Sequence, residues 1–411
     1  MAKRKQHYKY RPQKEYPKGL PWHKELIRKL EKFNKFLFLR VLGKILSIRP
    51  ISGPIALNDV SSVLIIRYDA LGDMIVTTPL WRILKHAKPS ITIGVAGSFK
   101  NLDLLRADKD IDYLYDYSAS SLIDFFRISK KTRKKEWDIV LMGNFNQKTR
   151  NAIISRLASP HGITATVGSS NIEGHQKLFS RLVSLPLPMN EMPMTLQLQH
   201  LLRSVISIPD VTDERPSIMI DDKTETATKN AVHHILEEMH RNKYIILNTD
   251  APGFKKWSME NNISLAEFIS EKYPQFVILL TSLPENKASI MAILAKREIP
   301  GIRYFSTPDI HVMTAVIRYS SLVITPDTSI VHLASAENKP IIAFYLAINE
   351  WLPYKSDCSI ILPKKGEAIS TITLSVAEEA VKVMLGEKKE DQPITRIVRC
   401  ENPDSIEIRH N

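Results

Sequence analysis

Cysteine is almost missing from the 411 residues: Cys358 and Cys400 stand alone, with no C-x-x-C pair. That pattern excludes a disulfide framework and a thiolate zinc site, and both read as ordinary thiols. Uninterrupted apolar runs of the ~20 residues that cross a bilayer are missing too. Met1-Ala2-Lys3-Arg4-Lys5 leads into more polar sequence rather than an apolar core, so no secretory signal is expected and the chain reads as cytoplasmic. Glycine is scarce where phosphate loops would need it. The stretch R-Y-D-A-L-G-D-M-I-V-T-T-P, residues 67–79, follows the apolar run Val63–Ile66 and has the single glycine Gly72. It is neither G-x-G-x-x-G nor a P-loop, which removes the main support for a dehydrogenase or an ATPase. No H-E-x-x-H, zinc-ligand spacing or nucleophile elbow occurs.

What the chain has in excess is positive charge, and it is local. Of the net +13, residues 1–50 supply +12, from 15 Lys or Arg against 3 Glu. A nucleic-acid enzyme would spread basic residues around its cleft, so no nucleic-acid partner is expected. Residues 1–20 have the composition of a disordered segment. From Trp22 to Ile48, apolar residues recur in steps of three and four (Trp22, Leu26, Leu30, Phe33, Leu37, Val41, Ile45, Ile48), with lysines and arginines on other faces. This is a basic amphipathic helix, interrupted by Lys35, Arg40 and Lys44 and unable to span a bilayer. Two placements stay open: on an anionic leaflet, at roughly 1 kcal/mol per basic residue near the surface, or against the protein's own body.

From residue 60 short apolar runs alternate with helical patterns. Strands are expected at 63–67, 91–95, 113–115, 139–142 and 164–167, with helices near 74–87 and 99–106. A second series has strands at 244–248, 276–281, 302–304, 322–325 and 340–345, separated by helices at 222–240, 263–272, 285–297, 309–319 and 328–337. Such alternation predicts parallel sheets covered on both faces, and two series predict two doubly wound domains. The expected boundaries are an extension over 1–59, domains over 60–206 and 217–387, a linker over 207–216 and a tail over 388–411. Ligands belong at the carboxyl ends of the strands and in the cleft between the domains.

Three stretches could carry chemistry. In the first, Asp73 enters a helix, where the dipole favours its ionised form and a role as general base; the alternative is a helix cap. In the second, T-P-D-T-S-I-V-H, residues 325–332, a strand stops at Pro326 and a helix opens. Free N–H groups at Thr328, Ser329 and Ile330 suit a diphosphate, Asp327 suits sugar hydroxyls at the rim, and His332 is either a packed histidine or a ligand contact. In the third, L-N-T-D-A-P-G-F-K-K-W-S, residues 247–258, a lysine at a strand end could neutralise a leaving phosphate. The D-x-D pattern of Asp108–Asp112 imitates a metal motif but stands far along the chain from the other candidates.

In this order and spacing, these stretches, with the continuation L-A-S-A-E-N-K-P-I-I-A-F-Y, resemble the bacterial ADP-heptose:lipopolysaccharide heptosyltransferases, glycosyltransferase family 9. The resemblance covers about residues 60–387. It implies the GT-B fold, with two Rossmann-like domains facing a cleft, the first holding the acceptor and the second the nucleotide sugar. It also implies inverting transfer of heptose from ADP-heptose to the lipid-linked inner core of lipopolysaccharide or lipooligosaccharide, without metal or cofactor. Asp73 then matches the general base, beside Gly72, which lets the backbone approach the substrate, and Arg67. Lys255, with its neighbour Lys256, matches the lysine that meets donor phosphates. Asp327, Thr328, Ser329 and His332 match the donor segment, and Glu285 is the candidate for reading the ribose. Trp351, Pro353 and Tyr354 resemble an acceptor-facing element. Ser329 and Ser258 stand where members often have Gly and Pro. The leaving diphosphate needs positive charge rather than a proton, so one base suffices, and Asp69 reads as a turn residue whose loss costs less than that of Asp73. The alternatives are another nucleotide sugar or a nucleotide-sugar epimerase on the same fold. With a membrane-bound acceptor, helix 22–48 reads as an anchor to the cytoplasmic face of the inner membrane.

Overall fold

The computed structural model describes residues 50–117, 122–145, 149–168, 179–189, 192–209, 214–297, 299–387 and 397–400, and five positions before them. The predicted helix 22–48 lies almost wholly outside these. Asn34, Leu37, Arg40, Val41 and Lys44 are helical, and Leu37 and Val41, both on its apolar stripe, are 49% and 48% exposed.

The strands are β1 (Ile55–Ala56), β2 (Ser62–Ile66), β3 (Thr92–Gly97), β4 (Tyr113–Asp116), β5 (Ile139–Met142), β6 (Ile163–Val167), β7 (Arg181–Val183), β8 (Ile206–Ser207), β9 (Lys243–Asn248), β10 (Phe276–Thr281), β11 (Ile302–Tyr304), β12 (Leu322–Pro326), β13 (Ile341–Phe344), β14 (Cys358–Ile361) and β15 (Ile397–Cys400). The helices are α1 (Leu71–Ile75), α2 (Pro79–Ala87), α3 (Phe99–Leu102), α4 (Leu122–Arg133), α5 (Thr149–Ala158), α6 (Met194–Val205), α7 (Asp222–Glu238), α8 (Met259–Lys272), α9 (Lys287–Arg297), α10 (Ile310–Arg318), α11 (Ser329–Ala336) and α12 (Leu374–Met384).

Two parallel sheets result, ordered β4-β3-β2-β5-β6-β7 and β11-β10-β9-β12-β13-β14-β15, with the short pair β1-β8 beside them. Strands such as S-V-L-I-I and F-V-I-L-L-T are buried at every residue, as parallel strands covered on both faces must be. In each sheet the first strand is central and the chain reverses direction across it, so a switch point opens between β2 and β5 and another between β9 and β12. The sequence stretches at 67–73, 249–257 and 327–332 all follow strands that border these points.

The structure departs from the sequence reading in several places. The helix expected at 74–87 is two helices, because Pro79 has no N–H to continue the first and opens the second instead. Helices α4, α5, α6 and α12, and strands β7 and β14, form in stretches to which the sequence reading assigns no element. Residues 397–400, placed by sequence in a tail, form β15, which runs antiparallel to β14 with Cys400 opposite Cys358.

Candidate active site

Strand β2 delivers Arg67 to the cleft floor, where its side chain is 2% exposed. Burying a guanidinium requires acceptors, and three surround it. It donates to the Gly143 carbonyl just past β5, ion-pairs with Asp73, and holds Nε 3.0 Å from Asp69 Oδ1. Asp73 Oδ1 takes the Arg67 bond and Oδ2 accepts from the Ala70 N–H at 3.1 Å. A carboxylate has about four lone-pair sites, so Asp73 retains capacity for an incoming hydroxyl while its orientation is fixed. Its side chain is 14% exposed. The cap and the candidate base are therefore the same side chain. Asp69 is more than a turn residue: it shares the guanidinium with Asp73. Its pKa is pushed up to about 6, first by burial at the cleft floor, with Arg67 pulling down and Asp73 pushing up. The side chain nonetheless keeps 37% exposure.

On the opposite wall, Trp257 is fully buried, stacked on Phe344 at 4.6 Å and donating Nε1–H to the Ile372 carbonyl at 2.8 Å. That anchor fixes the end of the turn carrying both lysines. Lys255 Nζ lies 2.5 Å from Asp327 Oδ2, at the mouth of α11. Lys256 turns the other way, 3.4 Å from Asp250 Oδ1. Asp250 also accepts from the Leu283 N–H at 2.6 Å and Asn286 Nδ2 at 2.5 Å. Lys256 thus supports the turn that presents exposed Glu285, and does not stand beside Lys255. Thr328 caps α11, its hydroxyl accepting from the Ile330 N–H at 3.3 Å. The expected free N–H of Ile330 is therefore taken; among the described residues those of Thr328 and Ser329 have no partner. Asn338, at φ 54°, ends the helix in the left-handed conformation before Pro340.

The two walls meet. A Cβ built on Gly72 would lie 2.8 Å from His332 Cδ2, so the absent side chain admits the α11 histidine against α1. The close approach that Gly72 permits is to the other domain's His332, where the sequence reading had the substrate. His332 is buried, and burial first of all lowers its pKa to about 4; Asp327 and Asp73 oppose that shift and Lys255 adds to it. Its imidazole is neutral near pH 7. Trp351 closes the group, its ring 6.2 Å from that of His332 and 5.7 Å from the Arg67 guanidinium carbon. Tyr354 lies apart, 3% exposed, its backbone bracketed by Ser335 Oγ at 2.7 and 3.0 Å. Polar contacts fasten the halves elsewhere: Ser217 N–H to Thr78 Oγ1 at 2.9 Å, and His311 Nε2 to the Asp103 carbonyl at 2.8 Å.

Asp108 is structural. It accepts from Trp81 Nε1 at 3.0 Å and from both Nη atoms of Arg82 at 2.7 Å, with 2% of its side chain exposed. Among the described residues no three His, Cys, Asp or Glu side chains are grouped to hold a metal ion. Sequence reasoning missed Asp250, Gly143 and the bridging geometry of Arg67. Position just past strands that border the switch points was the available signal for the first two.

Residues 125–371 match the family described as glycosyltransferase family 9 (heptosyltransferase). The chain belongs to glycosyltransferase family 9. The matched span contains both lysines and the α11 segment and begins after Asp73. A relative from Escherichia coli (strain K12), provisionally named lipopolysaccharide heptosyltransferase 4, is 23% identical over 299 residues, 70% of this chain and 74% of its own. Among solved structures, the glycosyl transferase family 9 protein of Veillonella parvula DSM 2008 superposes with a TM-score of 0.67 at 17% identity, over 82% of this chain and 100% of its own. E. coli ADP-heptose lps heptosyltransferase II gives 0.62 at 16%, over 79% and 99%. E. coli heptosyltransferase WaaC, solved with ADP, gives 0.60 at 15%, over 78% and 97%. At these identities the likeness is one of fold, and it is the GT-B arrangement of two Rossmann-like halves facing a cleft. The family 9 chain is a glycosyltransferase-type enzyme. Among the described residues no helix is long and apolar enough to cross a membrane.

Proposed function

We propose that this enzyme transfers heptose from ADP-heptose to the lipid-linked inner core of lipopolysaccharide or lipooligosaccharide, with inversion and without a metal. One observation carries the reading: Asp73 from the first half and the Lys255–Asp327–Thr328 group from the second converge on a single neutral histidine, His332. Residues 60–206 then bind the acceptor and 217–387 the donor. Asp73 takes the proton of the acceptor hydroxyl as that oxygen attacks the anomeric carbon and the bond to the diphosphate breaks. Lys255 and the N–H groups of Thr328 and Ser329 receive the charge that develops on departing ADP. A neutral His332 matters here, because an imidazolium at that position would compete with the hydroxyl for Asp73. Arg67 and Trp351 form the acceptor side of the cleft. Glu285, on its exposed turn, would meet the ribose. The half-exposed Leu37 and Val41 favour the leaflet placement of the basic helix, which would bring the enzyme to the cytoplasmic membrane face.

The test is Asp73→Asn, which keeps the shape and removes the base. Transfer should fall by about 10²–10⁴, while ADP-heptose binding measured by calorimetry stays within a few-fold. Retained turnover sinks the base assignment. A mass-spectrometric screen of nucleotide sugars with the wild type reads out the donor separately, and product formed from another sugar alone overturns the heptose assignment.

A further inference from the structure

Away from the cleft, a cavity of about 580 Å³ lies between the entering segment Pro50–Ser52, the edge strand β7 and the end of α6. Arg181, Ser52, Ser180, Ser184 and Ser204 supply its polar lining. Ile51 N–H donates to the Ser180 carbonyl at 2.9 Å, which fixes the entering segment on the sheet edge. Arg181 Nη1 is buried without an acceptor. Behind it Arg156, 3% exposed, donates to the carbonyls of Pro160 and Gly162 at 2.9 and 2.8 Å and to Ser180 Oγ at 3.3 Å, and its Nε has no acceptor. Among the described residues neither guanidinium has a carboxylate partner, whereas Arg67 and Arg82, also in the first half, each have one. Two guanidinium groups in a partly desolvated place are costly without a counter-charge. Each unpaired buried donor calls for an explanation, and a forked cation beside several hydroxyls is the chemistry that holds a tetrahedral oxyanion. The cavity also opens where the chain leaves residues 1–50, whose net charge is +12.

We propose that this cavity binds a phosphate group, either on an anionic lipid headgroup or free in solution. The inference does not depend on the reaction assigned to the cleft. In the full chain, inorganic phosphate titrated at constant ionic strength should raise the unfolding temperature saturably. Arg181→Gln should weaken that binding about 10-fold or more, as loss of a charge-assisted fork does. Lys255→Ala, which alters the cleft, should leave it intact. Flotation with phosphatidylcholine vesicles carrying phosphatidylglycerol separates the sources: Arg181→Gln weakens vesicle binding if the lipid phosphate enters the cavity, and leaves it unchanged if only free phosphate does. If Arg181→Gln fails to fold, Arg181→Lys, which keeps charge and loses the fork, should still show a several-fold loss. An absent phosphate effect, an effect equal in Arg181 variants and wild type, or one lost only in Lys255→Ala overturns the proposal.

Discussion

Substituting alanine for Gly72 sets two effects of opposite sign against each other. A helical glycine replaced by alanine ordinarily gains about 0.5–1 kcal/mol, from reduced backbone entropy in the unfolded chain. Here the new methyl would meet His332 Cδ2 at 2.8 Å, with the Ser329 Cα 3.7 Å away. The ring is buried, so relief requires α1 and α11 to part. Overpacking of that kind costs about 1–3 kcal/mol. The net expectation is a loss of roughly 0.5–2 kcal/mol. In a His332→Ala background the obstacle is gone, and the same substitution should become neutral or stabilising. Equilibrium urea unfolding of the wild type, both single variants and the double variant gives the coupling from one transition. Equal costs of Gly72→Ala in the two backgrounds would refute the claim that this glycine exists to seat the histidine.

Titration of His332 gives a second expectation. Its pKa falls from 6.5 to about 4 on folding, so between these values the unfolded chain binds the extra proton and stability declines as pH drops. The contribution is on the order of 3 kcal/mol, and it appears as a difference in slope between wild type and His332→Gln over pH 4 to 6.5. Parallel curves would remove the basis for a neutral imidazole. Asp69 acts oppositely: its raised pKa favours the folded state as pH falls through about 6, so Asp69→Asn should steepen the acid loss. Lys255→Ala should lower transfer by about 10²–10³, whereas Lys256→Ala, whose lysine is tied to Asp250, should cost less than about 10-fold; steady-state kinetics with varied donor decides between them. Removing the Asp108 carboxylate with Ala should cost about 3 kcal/mol, because it strands most of the buried Arg82 charge. Thermal unfolding checks that loss, and unaltered transfer at permissive temperature separates it from any metal role.

The doubly wound architecture was readable because parallel strands buried on both faces must be nearly continuous apolar runs, as Val63–Ile66 and Phe276–Thr281 are. The same logic placed Asp73, Lys255 and Thr328 at strand ends, where a switch point opens. Partnership was not readable. Nothing in R-Y-D-A-L-G-D shows that Arg67 is shared by two carboxylates, since that depends on Gly143, 76 residues away. Lys255 and Lys256 are indistinguishable as letters; burial of Trp257 points one at Asp327 and the other at Asp250. Tyr354 was grouped with Trp351 by neighbourhood, yet the loop turns between them and buries the tyrosine against Ser335. Helix α5 escaped notice because weak segregation of its apolar residues leaves little periodic signal.

Strand β15 bears on how the protein can be handled. A chain cut after α12 would keep both Rossmann-like halves and every cleft residue, and by composition would look like a tidy minimal enzyme. It would also bare the outer backbone edge of β14, a strand buried at all four residues. Such an edge offers ready hydrogen-bonding groups to another copy. The last strand therefore works as a stopper on the sheet, and shortened versions should precipitate at concentrations the full chain tolerates.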